Sequence, residues 1–202
     1  MSFVVFKLGG SLLDLVDLPQ RLEVLQAEHR EALPVYVVGG GVAADVVRGW
    51  DRRFAMSPDV SHRLAVHSMS LTARLVHGLL PKSRLVHSLE RLRQVGQVLI
   101  ASMTLPPAPC ILDVAHDVLQ AEAQHLLPAS WDVTSDAIAT WIALRLGAEE
   151  LVFLKSTDRP PGVPDWNELA RKGLIDPHTP QLLASAEGLA VRWVNLRTHV
   201  MR

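Results

Sequence analysis

Short apolar runs alternate with longer amphipathic stretches along this chain, and this alternation limits the fold more than any other feature. A run that is apolar at nearly every position is typical of a strand buried on both faces of a parallel sheet. Strands that alternate with helices predict an α/β fold with helices on both faces of the sheet. The predicted strands are residues 3–8, 34–38, 97–101, 151–154 and 191–194.

Capping signals and helical periodicity predict the helices between these strands. Ser57 followed by Pro58 is typical of an N-cap with proline at the first helical position. Thr134 is predicted to cap a later helix that stops at Gly147. An amphipathic stripe usually packs toward the core. The clearest apolar stripes are Val42, Val46, Trp50 and Phe54 in one helix and Leu64, Leu71, Leu75 and Leu79 in the next.

The composition of the 202-residue chain fits one globular domain over residues 1–202, with 49% apolar and 20% charged residues. A formal net charge of −1 gives no reason to expect nucleic acid or a membrane surface as a partner. No apolar run approaches the roughly 18 residues of a membrane span. The N-terminus lacks a signal-peptide pattern, so a cytoplasmic location is predicted. Cys110, the single cysteine, fits a reducing compartment and a buried position.

The segment KLGGSLL, residues 7–13, places a lysine and two glycines where a buried strand ends. Adjacent glycines let another group approach the backbone closely. A second strand-to-helix junction contains Gly39, Gly40 and Gly41, where backbone N–H groups and a helix N-terminus favour an anion. The two loops therefore predict an anion site, although glycines can also serve only close packing. The chain has no G-x-x-x-x-G-K-[ST] motif, which excludes a P-loop site.

Four segments together resemble the amino acid kinase superfamily. They are KLGGSLL at 7–13, VVGGG at 37–41, DVTSDAIATWIALRLGA at 132–148 and LVFLKSTD at 151–158. The resemblance implies an α/β fold, a three-layer αβα sandwich with a mainly parallel central sheet. It also implies transfer of the γ-phosphoryl group of ATP to a carboxylate or phosphate oxygen. Such a reaction depends mainly on positioning and on neutralising charge.

The resemblance further implies roles for individual residues. Lys7 would stabilise the transferring phosphoryl group, and Asp136 would orient this lysine. Most members carry a second lysine in a late GGM-type stretch, which this chain lacks, and Lys155 at the end of its strand is a better substitute than Lys172. The other assignments are Gly9, Gly10, Ser11, Lys155, Ser156, Thr157 and Asp158 for ATP, and Gly39, Gly40, Gly41, Asp132, Thr134 and Ser135 for the acceptor.

This chain resembles one branch of the superfamily, the aminomethylfuran phosphate kinases of methanofuran biosynthesis. The resemblance lies in the short chain length, in the segment WDVTSD, and in LIDP followed by VRWVNLR. This branch implies [5-(aminomethyl)furan-3-yl]methyl phosphate as acceptor, a small phosphate that also carries an ammonium. Trp131, Asp132 and Asp45 are candidates to bind the ammonium. ATP and Mg²⁺ are the expected cofactors, with Mg²⁺ bound through the nucleotide and no metal site of the protein's own. Family analogy favours a homo-oligomer.

Two other functions stay open at this point. One is a carboxylate kinase of the same superfamily, and the other is a non-catalytic nucleotide- or oxyanion-binding protein, which the missing late lysine would fit. Retention of Lys7 together with Asp136 argues against the second. The nine histidines form no i, i+4 pair and no zinc motif, so no transition-metal site is predicted. His62 and Arg63 are further candidates for the acceptor pocket.

Overall fold

The computed structural model describes residues 2–102, 106–163 and 165–199. Within them lie six strands and eight α-helices, with a 3₁₀ turn at Gly10–Leu12. The strands are β1 (Phe3–Leu8), β2 (Leu33–Val38), β3 (Arg84–Val86), β4 (Cys110–Leu112), β5 (Glu150–Lys155) and β6 (Ala190–Asn195). The helices are α1 (Leu18–Ala27), α2 (Gly41–Phe54), α3 (Pro58–Leu79), α4 (Leu89–Ser102), α5 (Ala115–Ala123), α6 (Ser135–Leu146), α7 (Trp166–Arg171) and α8 (Thr179–Ala184).

The described strands form one sheet in the order β3-β4-β2-β1-β5-β6, and every pair is parallel. Strand β1 lies between β2 and β5, with Leu8 opposite both Val38 and Leu154. The carboxyl ends of these three strands therefore meet at one edge. In open α/β sheets this edge, at the point where the strand order reverses, forms the ligand crevice. The predicted αβα sandwich with a parallel sheet is confirmed.

The core lies on both faces of the sheet because successive side chains of a strand point to opposite sides. Val5 and Phe153 belong to the cluster on the α6 side. Phe6 and Tyr36 belong to the cluster on the α1 side, where their rings stack with centroids 5.1 Å apart. This two-sided burial explains why the strands are continuously apolar in sequence. Cys110 at the start of β4 is buried as predicted, and burial raises the pKa of its thiol to about 12.

The strand predictions at 3–8, 34–38, 151–154 and 191–194 are confirmed, and the one at 97–101 is wrong. That run belongs to helix α4, which buries Leu92 and Leu99 two turns apart. A short apolar run fits a buried helix as well as a strand, and here the run is part of a longer helical pattern. Strands β3 and β4 were not predicted, since three residues are too few to show a period.

The predicted helix starts after Ser57 and Thr134 are confirmed, as is the stop at Gly147, whose φ is 62°. The apolar stripes seen in the sequence do not form the buried faces of these helices, because α3 buries a different face with Val66 and Met69. Eight large apolar side chains of α2 and α3 are instead 41–79% exposed. We call these residues the outer stripe: Val42, Val46, Trp50, Phe54, Val60, Leu71, Leu75 and Leu79. Across the described part of the chain, no helix has the length and apolar character needed to cross a membrane.

Candidate active site

One buried carboxylate joins two lysines at the carboxyl edge of the sheet. Nζ of Lys7 lies 2.8 Å from Oδ1 of Asp136, and Nζ of Lys155 lies 2.8 Å from Oδ2. Lys7 is opposite Phe153 in the register, so both lysines come from the face that packs against α6, where Asp136 occupies the first turn. The three side chains are only 6–12% exposed. The group carries two positive charges and one negative charge, which leaves a net positive charge for an anion.

The charges at this group shift two pKa values downward. Burial alone would raise the pKa of Asp136, but the charges of Lys7 and Lys155 outweigh it and hold this pKa below its usual range. Burial, helped by the charge of Lys7, lowers the pKa of Lys155 to about 8, although Asp136 opposes this shift. Asp136 is therefore ionised, and Lys155 loses its charge at a lower pH than an ordinary lysine.

Lys155 is also held by the segment between α7 and α8. We call residues 172–178 the strap. Nζ of Lys155 donates to the carbonyl of Leu174, 2.8 Å away, as well as to Asp136. Its ammonium lies 5.3 Å from the ring centroid of Trp193 on β6. A lysine has three N–H donors, so one is left without a hydrogen-bond partner among the described residues.

The two glycine loops touch each other at the ends of β1 and β2. A Cβ on Gly10 would lie 2.3 Å from the backbone nitrogen of Gly41, and a Cβ on Gly40 would lie 2.2 Å from Oγ of Ser68. Gly41 has a φ of 53°, which favours glycine. Packing within the protein alone therefore accounts for glycine at these positions, and the same small residues leave the loop backbone open toward the cavity beside it.

A cavity of about 280 Å³ opens between the glycine loops, α2, α3 and the start of α6. We call the part at the glycine loops the reacting end. The part away from them, with Asp45, Arg48, His62 and Trp131, is the distal end. Arg48 donates to Asp45 at 2.9 Å and lies 4.8 Å from the ring centroid of Trp131. Among the predicted acceptor residues, the walls include Gly39, Gly40, Gly41, Thr134 and Ser135.

The remaining predicted site residues lie around this edge, with one exception. Gly9 donates its N–H to the carbonyl of Leu154, and Ser11 bonds to Ser156 across 3.1 Å, which joins the first loop to the segment after β5. On that segment the carbonyl of Thr157 accepts from Trp193, and Asp158 accepts from Asn195. The exception is Asp132, which is exposed and does not line the cavity. Arg63 does not line it either.

The sequence model of the amino acid kinase family matches residues 2–159, which is more than half of the chain. The chain belongs to the amino acid kinase family. The matched residues include Lys7, both glycine loops, Asp136 and Lys155. The family predicted from the four sequence segments is therefore confirmed. The strap and β6 lie beyond the matched residues.

Similar proteins agree with this family. The [5-(aminomethyl)furan-3-yl]methyl phosphate kinase of Methanocaldococcus jannaschii is 28% identical over 157 residues, which cover 76% of this chain and 66% of the relative, just under two thirds of its length. The uridylate kinase from Archaeoglobus fulgidus superimposes with a TM-score of 0.65 at 16% identity, covering 98% of this chain and 92% of that chain. The aspartate kinase from Synechocystis gives 0.61 at 14% identity, covering 95% and 38%. These two structures share the fold.

In this member of the amino acid kinase family, Asp176 of the strap is a further residue of the site. The sequence patterns did not predict it. Its Oδ2 accepts from the N–H of Thr134, from the hydroxyl of Thr134 and from the N–H of Ala137, each at 2.9 Å. Its Oδ1 accepts from the N–H and hydroxyl of Thr179 at 2.8 and 2.7 Å. The buried carboxylate thus caps α6, where Thr134 itself makes no side-chain cap. In the sequence, this residue belongs to the segment LIDP.

A second missed feature is the partner of His62. Nε2 of His62 lies 2.6 Å from Oε1 of Glu122 on α5, and the two side chains are 2% and 11% exposed. His62 was a candidate for the acceptor pocket, and it does line the cavity. Glu122 is sixty positions away in sequence, so no local pattern could connect the two.

The residues present fit Mg²⁺ only as a partner of the nucleotide. Both carboxylate oxygens of Asp136 lie against lysines, so this carboxylate is not free for a metal. No cluster of three or more His, Cys, Asp or Glu side chains that could hold a metal occurs among the residues that the structure describes. Mg²⁺ would be held by nucleotide phosphates and water, which is its common mode of binding in kinases.

Proposed function

We propose that this protein transfers the γ-phosphoryl group of ATP to the phosphate of a small acceptor. The observation that carries the proposal is the pair of lysines on one buried carboxylate beside two glycine loops. A transferring phosphoryl group needs charge neutralisation and positioning more than covalent help from the protein. Lys7 and Lys155 supply the positive charge, and Asp136 keeps both ammonium groups in place before the substrates bind.

The glycine loops and their neighbours hold the two phosphates. Gly9, Gly10 and Ser11 lie along the ATP phosphates, and Ser156, Thr157 and Asp158 lie along the nucleoside. Gly39 to Gly41, at the start of α2, hold the acceptor phosphate together with Thr134 and Ser135, because backbone N–H groups and the positive end of the helix favour an anion. An acceptor oxygen attacks the γ-phosphorus and ADP leaves, while the lysines balance the negative charge.

The acceptor that fits best is [5-(aminomethyl)furan-3-yl]methyl phosphate. The cavity of about 280 Å³ lies at the lower limit of small-molecule sites, which run from about 300 to 1,000 Å³, and this favours a single small ring. Ala65, Val66, Met69, Val133 and Ile138 give it an apolar wall suited to a ring. The relative from Methanocaldococcus jannaschii carries this substrate in its name and supports the same choice.

The test is a phosphoryl-transfer assay with ATP and Mg²⁺ on parallel acceptors: the furan phosphate, UMP, isopentenyl phosphate, acetylglutamate and aspartate. Phosphorus NMR should show a diphosphate from the furan phosphate at the highest kcat/KM. Preference for either carboxylate would contradict a phosphate acceptor. ATP binding without turnover on any acceptor would support a non-catalytic binding protein instead.

We also propose that two copies of the chain associate through the outer stripe. Its eight apolar side chains lie on two adjacent helices and stay 41–79% exposed in the single chain. Exposed apolar patches of this kind mark interaction surfaces on soluble proteins. Light scattering should give twice the chain mass or a higher multiple, and a monomer at all concentrations would contradict the proposal.

A further inference from the structure

Trp131 is part of the cavity wall at the distal end, although it lies in the loop before α6 and not on a helix. Its side chain is half-buried, and its Nε1 donates to Oδ2 of Asp51, 2.8 Å away. The guanidinium of Arg48 lies 4.8 Å from the ring centroid. Asp51 and Arg48 are neighbours on one face of α2, one turn apart. Two contacts therefore hold the indole against α2.

The backbone around Trp131 is held from the opposite side by the strap. The carbonyl of Asp132 accepts from the N–H of His178, 3.2 Å away. The N–H of Val133 donates to the carbonyl of Ser130 at 3.1 Å, which closes a turn. Val133 itself is buried and lines the cavity. The loop is thus fixed between the strap and α2, and the indole moves aside only if its bond to Asp51 breaks.

The two ends of the cavity differ in the size of the side chains in their walls. The reacting end has three glycines, residues 39–41, whereas the distal end has Asp45, Arg48, His62 and Trp131. Trp131 is the largest side chain of the whole wall. The volume of about 280 Å³ lies at the lower limit of small-molecule sites, about 300 to 1,000 Å³. The room for the part of the acceptor that does not react is therefore limited by the distal wall.

We propose that Trp131 determines which acceptors are used, by closing the distal end against any group larger than a single ring. A nucleoside monophosphate carries a ribose and a base beyond its phosphate, so it meets the indole. A wall that clashes with the wrong ligand gives specificity without any added attraction for the right one. The inference rests on the proposed function, because it names the size class of the phosphate acceptor.

Asp51 is the positioning residue of this wall. It is not part of the cavity wall, so it acts on the acceptor only through Trp131. The N–H of a tryptophan usually finds a hydrogen-bond partner when the ring is buried, and the carboxylate of Asp51 is that partner.

The experiment compares two acceptors, the furan phosphate with one ring and UMP with two. The wild-type protein should favour the furan phosphate in kcat/KM by about 100-fold or more. Trp131→Ala should lower that ratio at least about tenfold, because it makes room for UMP and lowers the KM of UMP. The KM of ATP should not change. A gain of activity on UMP cannot come from a variant that fails to fold, and an unchanged ratio would overturn the proposal.

Two variants at Asp51 test its positioning role. Asp51→Ala frees the indole and should shift the ratio in the same direction as Trp131→Ala, but by a smaller factor. Asp51→Asn keeps an oxygen that accepts from Nε1 and should restore nearly the wild-type ratio. If Asp51→Ala lowered thermal stability but left the ratio unchanged, the positioning role of Asp51 would be overturned.

The matched control is Trp50→Ala. Trp50 precedes Asp51 on α2, is 48% exposed and does not line the cavity. The same change of side chain at this position should keep the wild-type ratio between the two acceptors, whatever it does to the association of two copies. A shift as large as that of Trp131→Ala would overturn the proposal.

The outcomes also separate this inference from the proposed function. If the wild-type protein phosphorylates the furan phosphate and UMP equally well, transfer to a phosphate stands and the inference is overturned. If it phosphorylates neither, the choice of acceptor is wrong, and the binding of UMP is measured by calorimetry instead. Trp131→Ala should then bind UMP at least about tenfold more tightly than the wild-type protein does. Equal affinities would overturn the inference.

Discussion

The two ends of the cavity differ in the contacts that hold the charged groups around them. Beside the reacting end, Asp136 contacts both lysines at 2.8 Å, and Lys155 also bonds to the strap. These three side chains are not part of the cavity wall. At the distal end, His62 is part of the cavity wall and contacts Glu122 of α5 at 2.6 Å. Charges that must be in place during the reaction are preorganised, because an enzyme gains most from groups that need no rearrangement.

The strap adds further contacts beside the reacting end. Asp176 receives five hydrogen bonds, from Thr134, Ala137 and Thr179. Three of them fix the first turn of α6, the turn that carries Asp136. Among the described residues, no carboxylate caps α2 or α3 at the distal end in this way. This difference predicts different kinetic effects for variants at the two ends. Variants at the reacting end should change kcat, and variants at the distal end should change the KM of the acceptor.

Lys7→Ala should have the largest effect of the predicted variants, and it should impair only the chemistry at the reacting end. Loss of one preorganised charge is expected to lower kcat by about 10²-fold or more. Asp136 keeps Lys155 as a partner, so the fold should survive, which thermal unfolding checks. Lys172→Ala is the control, because Lys172 is about half exposed and its ion-pair partner is Glu168, 3.5 Å away. The turnover of this variant should stay near wild type. Near-normal turnover of Lys7→Ala would remove Lys7 from the mechanism.

Asp176→Asn tests whether the strap holds the reacting end. An amide in place of the carboxylate turns an NH₂ group toward N–H donors, so the variant should lose roughly 2–4 kcal/mol of unfolding free energy. Misplacement of Asp136 should lower kcat by about tenfold, with little change in the KM of the acceptor. Thr179→Val removes only one of the five bonds and should show a smaller loss in both measurements. An unchanged kcat in a destabilised Asp176→Asn would limit Asp176 to folding.

The pH dependence of kcat/KM for ATP should also differ between variants at the two ends. This is the smallest of the predicted effects. Burial and the charge of Lys7 lower the pKa of Lys155 to about 8, so its ammonium is present below that pH and is lost as the pH rises. The kcat/KM for ATP, which reports groups of the free enzyme, should therefore fall to about half near pH 8.

Lys155→Arg should remove this alkaline limb, because a guanidinium stays protonated throughout. Glu122→Gln, on α5 next to His62, should keep it. The measurement is kcat/KM for ATP from neutral pH into the alkaline range for the three proteins. An identical limb in Lys155→Arg would assign it to another group.

Features that depend on neighbours in sequence were predictable. Lys7 and the glycine loops follow apolar strands, and parallel strands bring their carboxyl ends to one edge, so the sequence alone placed them together. Lys155 was predictable as a site residue because burying a charged side chain at the end of a strand costs free energy unless the charge has a partner. Thr134 and Gly147 bound α6 through local capping chemistry. The assignment to one domain and to the cytoplasm stay predictions.

Features that depend on which faces meet were decided only by the tertiary structure. Periodicity showed that α2 and α3 carry apolar stripes, but α3 has two apolar faces, and only packing shows which one is buried. Asp132 precedes the T-S-D segment in sequence but turns away from the cavity, while Glu122 reaches His62 from a different helix. The physical reason is that local patterns report backbone conformation within a few residues, whereas a buried charge is paired by whatever the folded chain brings within a few ångströms.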